Sequence, residues 1–302
     1  MNEEEKSALP IKVLITGASG QLGYALQQTR PSKINGVALD VVAVTRAQLD
    51  LSAPDTIATV LEQYQPDIII NAAAYTAVDK AESDADLAET INHSAVAELA
   101  SWCAQQQKML LQVSTDFVFD GKKSSAYLPT DECNPLGVYG KSKRAGEIAA
   151  LRLNPRTYIV RTGWVYCEHG ANFVKTMLRL GAERESLNVV SDQLGTPTYA
   201  INLAKMLWAL VAVQPEQKVF HFSDAGTASW YDFACAIFNL AEQKKLLVRQ
   251  PQLKPIRTRD YPTPAQRPGF SVLDKFQTWE TLSISPIHWQ QALGQMLDKL
   301  VQ

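Results

Sequence analysis

The stretch Ile11-Lys-Val-Leu-Ile-Thr-Gly-Ala-Ser-Gly-Gln-Leu-Gly23 decides the fold of this chain. It opens with a short apolar, β-branched run that predicts a buried strand, and residues 21–28 after it have the character of a helix. Between the two, Gly17 permits a tight turn, Gly20 lets backbone amides approach a pyrophosphate, and Gly23 lets the helix pack closely. A strand, a glycine turn and a helix in this order predict a dinucleotide-binding turn.

Strand and helix patterns alternate through the rest of the first half. Apolar runs at 39–45, 68–71 and 109–114 predict buried strands, and apolar residues at helical spacing predict helices over 57–64 and 85–107. We therefore expect an α/β fold in which a doubly wound parallel sheet carries helices on both faces, as in a Rossmann domain.

The pattern loosens after residue 166. Helices are predicted over 173–180, 199–212 and 230–241, with a late strand at 219–222. Five prolines between Pro251 and Pro268 are too many for a helix or an interior strand, so an ordered loop is expected there.

These patterns divide the chain into three parts. Residues 1–10 are expected to be a flexible N-terminal extension. Residues 11–166 are expected to form the NAD(P)-binding Rossmann domain, which the chain rejoins at about 199–222. Residues 167–302 are expected to form mainly a smaller α/β C-terminal lobe.

Composition and charge exclude several classes of function. The 29 basic and 31 acidic residues nearly balance and form no block of like charge, so we expect neither a nucleic-acid surface nor a polybasic membrane patch. The first ten residues are polar and acidic, unlike a signal peptide, and no apolar run approaches the roughly 18 to 20 residues of a membrane span. Four cysteines and four histidines are scattered without metal-ligand spacing. A reduced cytoplasmic protein is therefore expected.

The choice of cofactor depends on the end of the second long strand, Val44-Thr45-Arg46. NAD-specific sites usually place an acidic residue there to bind the ribose hydroxyls. A hydroxyl followed by a guanidinium would tolerate or favour a 2′-phosphate instead, so NADPH is our first choice, and use of NADH as well stays open. A solvated surface arginine is the alternative interpretation of Arg46.

A second motif, Val138-Tyr-Gly-Lys-Ser-Lys143, places a phenol and an ammonium about one helical turn apart on one face. A neighbouring cation lowers the pKa of a phenol, which makes it a better proton donor at neutral pH. Thr115 follows another predicted strand, where its hydroxyl can hydrogen-bond a substrate carbonyl oxygen. Alone, each feature has a structural explanation, as packing or as a turn cap. Together with the glycine turn they predict a reductase centre.

Six further segments indicate to which family of reductases the chain is similar. They are residues 71–82, 114–120, 161–166, 172–179, 192–198 and 261–268. The motifs together resemble the extended short-chain dehydrogenase/reductase superfamily, and over roughly residues 11–300 the chain is similar to the dTDP-4-dehydrorhamnose reductase family. The resemblance implies NAD(P)H-dependent reduction of the C4 ketone of dTDP-4-dehydro-L-rhamnose to dTDP-L-rhamnose, a sugar donor for bacterial cell-surface polysaccharide. It also implies that residues 167–302 mainly bind the nucleotide sugar.

The resemblance implies roles for individual residues. Tyr139 would protonate the C4 alkoxide, Lys143 would bind the nicotinamide ribose and lower the pKa of Tyr139, and Thr115 would polarise the carbonyl. The implied substrate contacts are Thr115, Asp116 and Trp164 at the sugar, and Asn172 and Arg267 at the diphosphate, with a structural ion pair as the alternative for Arg267. With the glycine turn, the expected cofactor contacts are Gly17, Gly20, Gln21, Leu22, Gly23, Arg46, Asp50, Leu51, Ala73, Ala74, Tyr75, Tyr139 and Lys143.

One departure from the family concerns a metal. Some members bind Mg²⁺ at a dimer contact through glutamates, one just after the glycine turn and another in a Glu-Arg-Glu-Glu run. This chain has Ala25 in the first region and Glu183-Arg-Glu-Ser186 in the second. Missing carboxylates weaken a site for a hard cation, so we predict no metal ligands, while a homodimer stays open.

Two other interpretations stay open. Another nucleotide-sugar reductase or epimerase of the superfamily would share the Tyr139 and Lys143 pair and differ in the lobe, where residues 192–198 and 261–268 favour the first interpretation. A non-catalytic regulatory subunit is the other, since a relative of this fold serves methionine adenosyltransferase in that way. The presence of Thr115 with the pair argues against it.

Overall fold

The computed structural model describes residues 9–301 of this 302-residue chain. The flexible extension predicted for residues 1–10 falls mainly on residues 1–8, which lie outside the described residues. Leu9 is exposed, and the first strand begins at Ile11. No helix of residues 9–301 combines the length and the apolar character that crossing a bilayer requires.

Parallel strands form the central sheet. The strands of the described residues are β1 (Ile11–Thr16), β2 (Lys33–Ile34), β3 (Val37–Val44), β4 (Ile68–Asn71), β5 (Met109–Thr115), β6 (Thr157–Thr162), β7 (Val165–Tyr166), β8 (Ser186–Val190), β9 (Leu194–Gly195), β10 (Thr198–Tyr199), β11 (Val219–His221), β12 (Ala228–Ser229) and β13 (Gln252–Ile256). The large sheet has the order β11-β6-β5-β4-β1-β3-β2, and its pairs are parallel except β2 with β3. The predicted α/β architecture with a parallel sheet is confirmed.

Helices cover both faces of this sheet. The α-helices of the described residues are α1 (Gln21–Gln28), α2 (Ile57–Tyr64), α3 (Val78–Ala81), α4 (Ala85–Glu89), α5 (Ala95–Gln105), α6 (Val138–Leu153), α7 (Phe173–Glu183), α8 (Ala200–Val213), α9 (Trp230–Gln243), α10 (Phe276–Thr281) and α11 (Trp289–Val301). The helices predicted from apolar spacing are confirmed to within a few residues at each end. The long pattern over 85–107 contains a π-bulge at Thr90–Ser94, between α4 and α5.

Alternate residues of each strand enter two cores. In β1, Val13 and Ile15 pack with residues of α1 and α8 on one face, whereas Leu14 packs with residues of α2 and α5 on the other. This alternation follows from the two-residue period of a strand. The first core continues into the C-terminal lobe through α9 and α11. The lobe and the sheet therefore share one core, which fixes their relative position.

The lobe is built from short paired strands and helices. β8 pairs with β13, β7 with β10, and β9 with β12. The expected loop between Pro251 and Pro268 is wrong for residues 252–256, which form β13. β13 is an edge strand that pairs on one side only, with β8. Pro255 has no N–H to donate, and this is tolerated because the open side of the strand has no partner strand in residues 9–301 that would accept it.

The chain returns to the sheet between the two halves of the lobe. α8 packs against α1, and β11 adds to β6 at the edge of the sheet. The late strand predicted at 219–222 is therefore confirmed as the seventh strand of the main sheet.

A buried ion pair fixes α6 on the sheet. The Glu147 carboxylate of α6 accepts two hydrogen bonds from Arg161 of β6, from Nε at 2.9 Å and from Nη2 at 2.8 Å. Both side chains are almost fully buried. Burial alone would raise the pKa of the Glu147 carboxyl, but the hydrogen bonds and charge of Arg161 hold it below its usual range. The pair therefore remains ionised inside the protein and aligns the helix with the strand.

We predict that Glu147→Ala lowers the free energy of unfolding by about 3 to 5 kcal/mol, because it leaves a buried guanidinium without its carboxylate. The matched control is Glu183→Ala, which breaks the exposed Arg179–Glu183 pair of α7 and should cost at most about 1 kcal/mol. Urea unfolding of both variants measures the difference. Losses of equal size would contradict the structural importance of the buried pair.

Candidate active site

A cleft of about 640 Å³ runs along the edge of the sheet where the parallel strands end. Turns after β1, β3 and β4 line one part, the ends of β5 and β6 line the next, and α9 of the lobe borders it. Ligands of open α/β sheets bind at this edge, because the connections on the two sides of a switch in strand order leave a crevice there. Representative lining residues are Gly17, Arg46, Ala72, Thr115, Thr162 and Trp230.

The glycine turn forms the floor of the first part. Gly17 has a φ of +66°, and a Cβ there would lie 3.0 Å from the backbone of Ala73. A Cβ on Gly23 would lie only 2.1 Å from the carbonyl oxygen of Gly17. Gly23 is therefore needed because helix α1 packs directly against the turn that precedes it. Helix α1 begins at Gln21 with Gly20 as its N-cap, which leaves first-turn N–H groups at the cleft. This cradle fits a pyrophosphate.

A row of buried hydrogen bonds joins three neighbouring strands near the edge where they end. Thr16 of β1 donates to Asn71 of β4 at 2.6 Å, and Asn71 donates to Gln112 of β5 at 2.7 Å. The carbonyl oxygen of Val113 then accepts from the Gln112 side chain at 2.8 Å and from Lys143 Nζ at 2.7 Å. These hydrogen bonds satisfy polar groups that would destabilise the fold if they were buried without partners, and they fix Lys143 relative to the glycine turn.

Tyr139 and Lys143 lie one turn apart near the start of α6, and both line the cleft. Burial raises the pKa of Tyr139 to about 12, while a hydrogen bond with Thr115 acts in the opposite direction. Burial lowers the pKa of Lys143 to about 8, so the ammonium form still predominates at pH 7. The expectation that Lys143 brings the pKa of Tyr139 toward neutrality is wrong in this structure, because burial is the largest cause of the shift and the nearby Asp116 carboxyl raises the pKa further.

Thr115 and Asp116 form a buried pair beside Tyr139. The Thr115 hydroxyl donates to Asp116 Oδ1 at 3.1 Å, and Ser271 of the lobe donates to Asp116 Oδ2 at 2.5 Å. Burial raises the pKa of Asp116 to about 6, and these two hydrogen bonds limit the rise. A Cβ on Gly163 would lie 2.7 Å from this carboxyl, so the space around it requires a glycine. Ser271, which the sequence analysis missed, therefore links the lobe to the predicted reaction centre.

The N-terminus of α6 has a partner that the sequence analysis also missed. Glu82 Oε1 accepts from the backbone N–H of Val138 at 2.9 Å. A carboxylate at this end is stabilised by the helix dipole and by the free N–H groups of the first turn. Glu82 lies far from Val138 in sequence, so no local capping pattern announces the contact.

Asn92 occupies the π-bulge and connects two elements of the site. Its side chain accepts from the backbone N–H of Tyr75 at 2.9 Å and donates to the carbonyl of Tyr75 and to Ser142 of α6 at 3.1 Å each. It is almost fully buried. Of the residues expected to border the cofactor, Ala73 and Ala74 line the cleft. Tyr75 does not line it, and its hydroxyl donates a hydrogen bond to the Asp84 carboxylate.

Two stacked indoles border the lobe side of the cleft. Trp164, predicted to wall the sugar site, lies parallel to Trp230 of α9 with 3.5 Å between ring centroids. The backbone of Trp164 has a φ of +52°, which is strained for a residue with a side chain. A Cβ on Gly195 would lie 2.7 Å from the Trp164 ring. The ring is therefore confined between a glycine and a second tryptophan, the latter missed by sequence.

The two residues predicted at the diphosphate are placed differently. Arg267 lines the cleft and makes a bidentate contact with Asp79, at 2.9 and 2.7 Å, which is the ion pair considered as its alternative. Asn172 caps α7 through Lys175 N–H, and its amide nitrogen donates to Gln21 at 2.9 Å and to the Cys167 carbonyl at 2.6 Å. Asn172 thus reaches the cleft only through Gln21, which lines it.

The end of β3 provides the charged rim. Arg46, Asp50 and Leu51 line the cleft beyond the glycine turn, as does Leu22. Arg46 Nε lies 3.3 Å from Asp50, and its Nη2 lies 3.3 Å from Ser52. Asp50 therefore holds the guanidinium at the entrance, and the arginine side chain remains largely exposed.

Two regions of this chain correspond to those that hold Mg²⁺ at a dimer contact in some family members, and they contain few free carboxylates. Ala25 is fully buried in the core, and Glu183 pairs with Arg179. Within residues 9–301 there is no cluster of three or more His, Cys, Asp or Glu side chains with the geometry to hold a metal ion.

Known proteins resemble this chain over nearly its whole length. Residues 11–302 match the family model described as RmlD substrate binding domain. A dTDP-4-dehydrorhamnose reductase of Aggregatibacter actinomycetemcomitans is 42% identical over 287 residues, covering 93% of this chain and 97% of that protein. A crystal structure of a dTDP-4-dehydrorhamnose reductase from Clostridium acetobutylicum superposes with a TM-score of 0.89 at 37% identity, covering 97% of this chain and 100% of the other.

A second solved structure carries a cofactor. The dTDP-4-dehydrorhamnose reductase from Bacillus anthracis, in complex with NADP, gives a TM-score of 0.89 at 34% identity and covers 96% of this chain and 100% of its own. These matches confirm the resemblance that the motifs indicated. The chain belongs to the RmlD substrate binding domain family.

Proposed function

We propose that this chain reduces the C4 ketone of dTDP-4-dehydro-L-rhamnose to dTDP-L-rhamnose with NADPH. One observation carries the proposal: Tyr139, Lys143 and Thr115 line the same cleft as the glycine turn. The full-length similarity to proteins named for this reaction supports it. The product would serve as a sugar donor for cell-surface polysaccharide.

The residues of the cleft fit the cofactor. The N–H groups at Gly20–Leu22 would hold the pyrophosphate, and Arg46 would meet the 2′-phosphate. Asp50 and Leu51 would border the adenine, and Ala73 and Ala74 would leave room for the rest. When bound, NADPH supplies a hydride to the carbonyl carbon.

Tyr139 would give the proton. Because its pKa is raised to about 12, the phenol keeps its proton at neutral pH and can donate it to the stronger base that forms at the ketone oxygen. The Lys143 ammonium would hold the nicotinamide ribose and stabilise negative charge beside the phenol. Thr115 would donate a hydrogen bond to the same ketone oxygen.

The substrate would lie between the sheet and the lobe. Asp116 and Trp164 would contact the sugar, and Arg267 would turn from Asp79 toward the diphosphate. Asn172 would act through Gln21. Residues 167–302 would then be mainly the nucleotide-sugar lobe and residues 11–166 the cofactor domain. A homodimer and a cytoplasmic location belong to the same proposal.

The activity is tested by following NADPH absorbance with dTDP-4-dehydro-L-rhamnose and with a panel of other nucleotide sugars. We expect oxidation of NADPH with the dTDP-ketosugar at a kcat/KM well above that for any other sugar. Preference for a different sugar would assign the chain to another reductase or epimerase. No oxidation with any sugar would favour the regulatory interpretation.

We predict that Tyr139→Phe keeps NADPH affinity but loses at least about two orders of magnitude in turnover, because it removes the proton donor and leaves the ring. Tyr166→Phe is the matched control, since Tyr166 is buried in the core outside the cleft. Steady-state kinetics and NADPH titration measure both effects. Turnover of Tyr139→Phe near that of the wild type would reject this role.

We predict that Arg46→Asp lowers the ratio of kcat/KM with NADPH to kcat/KM with NADH by about tenfold or more, because it replaces a phosphate-binding charge with a repelling one. Arg179→Asp is the control. Like Arg46, Arg179 is exposed and pairs with a carboxylate four residues later, in this case Glu183, but it does not line the cleft. An unchanged ratio in Arg46→Asp would leave Arg46 as a surface residue.

A further inference from the structure

Three buried side-chain nitrogen or oxygen atoms of residues 9–301 have no hydrogen-bond partner among those residues. They are Oγ of Ser114, Oγ1 of Thr162 and the phenol oxygen of Tyr166. A buried hydroxyl without a partner destabilises the fold, so each such atom needs an explanation, and a role in binding is one of them.

The three residues differ in whether they line the cleft. Tyr166 does not line the cleft, whereas Ser114 and Thr162 do. The Ser114 hydroxyl lies close enough to Glu147 to help hold down the pKa of that carboxyl, so it has a neighbour inside the protein. Within the described part of the chain the Thr162 hydroxyl has no such neighbour, and the residue as a whole is only 5% exposed. Of the three residues, Thr162 is therefore the one that lines the cleft and whose hydroxyl has no neighbouring group among residues 9–301 to pair with.

The place of Thr162 along the sheet indicates which ligand it meets. Thr162 is the last residue of β6 and lies directly opposite Thr115 of β5. From the end of β3, where Arg46 lies, to the end of β6 is four strand steps, or about 19 Å at about 4.8 Å per step. A dinucleotide with its 2′-phosphate at Arg46 and its pyrophosphate at the β1 turn would extend its nicotinamide half toward β5 and β6.

We propose that Thr162 is a further cofactor-binding residue whose hydroxyl hydrogen-bonds the carboxamide of the nicotinamide. The inference rests on the proposed function, since it takes NADPH as the cofactor of this cleft. A carboxamide has both a donor and an acceptor, and a threonine hydroxyl can pair with either. The bond would fix the rotation of the ring and so the face that it presents to the ketone near Thr115 and Tyr139.

Thr162→Val keeps the side-chain shape and removes the hydroxyl. Because this hydroxyl has no partner within residues 9–301, the unfolding midpoint of the variant should not fall. Its dissociation constant for NADPH should rise about threefold to tenfold. Both quantities are measured on the full chain, by thermal unfolding and by calorimetric titration.

Thr157→Val is the matched control at the other end of the same strand. The Thr157 hydroxyl is fully buried and donates to the carbonyl of Ala150 at 3.2 Å, away from the cleft. This variant should lower the unfolding midpoint by about 2 °C and leave NADPH affinity unchanged. The two variants therefore separate the loss of a structural bond from the loss of a ligand bond.

A second ligand locates the contact. 2′-Phospho-ADP-ribose carries the adenine, the 2′-phosphate and the pyrophosphate but no nicotinamide, so wild type and Thr162→Val should bind it equally. Unchanged NADPH affinity in Thr162→Val, or equal weakening toward both ligands, would overturn the inference. A change confined to the KM of the dTDP-sugar would also overturn it and assign the hydroxyl to the substrate. A wild-type chain that binds neither ligand would overturn the proposed function together with this inference.

Discussion

The buried hydrogen-bond chain from Thr16 to Lys143 is the constraint on which the site depends. Thr16 and Asn71 are the last residues of β1 and β4, Gln112 lies opposite Asn71 in β5, and all three side chains are polar and buried. Asn71 and Gln112 satisfy one another and leave the carbonyl of Val113 to hold Lys143. The glycine turn and the lysine are therefore parts of one rigid network, although more than a hundred residues separate them in sequence.

The helix that carries Tyr139 is held at three places along its length. Glu82 binds its first turn, Lys143 anchors its second turn to β5, and Glu147 anchors its third turn to Arg161 of β6. The same packing that positions the phenol also removes it from water. Burial, rather than a neighbouring charge, therefore sets the pKa of Tyr139, and the phenol remains protonated until a strong base forms beside it.

The sequence predicts best what depends on local pattern. The strand, turn and helix from Ile11 to Gln28 and the helix that starts at Val138 follow from apolar period and glycine spacing. Contacts between distant segments are not written in such patterns. Ser271 reaches Asp116 only because the lobe folds over β5, and the role of Asn92 requires a π-bulge that no local propensity announces. The pKa of Tyr139 cannot be predicted from its neighbours in sequence for a related reason, since burial is a property of the whole fold.

The direct test of the central claim is to follow the hydride. NADPH that carries deuterium on the transferring face of the nicotinamide is incubated with the protein and dTDP-4-dehydro-L-rhamnose, and the product is analysed by NMR and mass spectrometry. The account predicts dTDP-L-rhamnose with deuterium on C4 of the sugar. Product without the label, or with the label on another carbon, would contradict it.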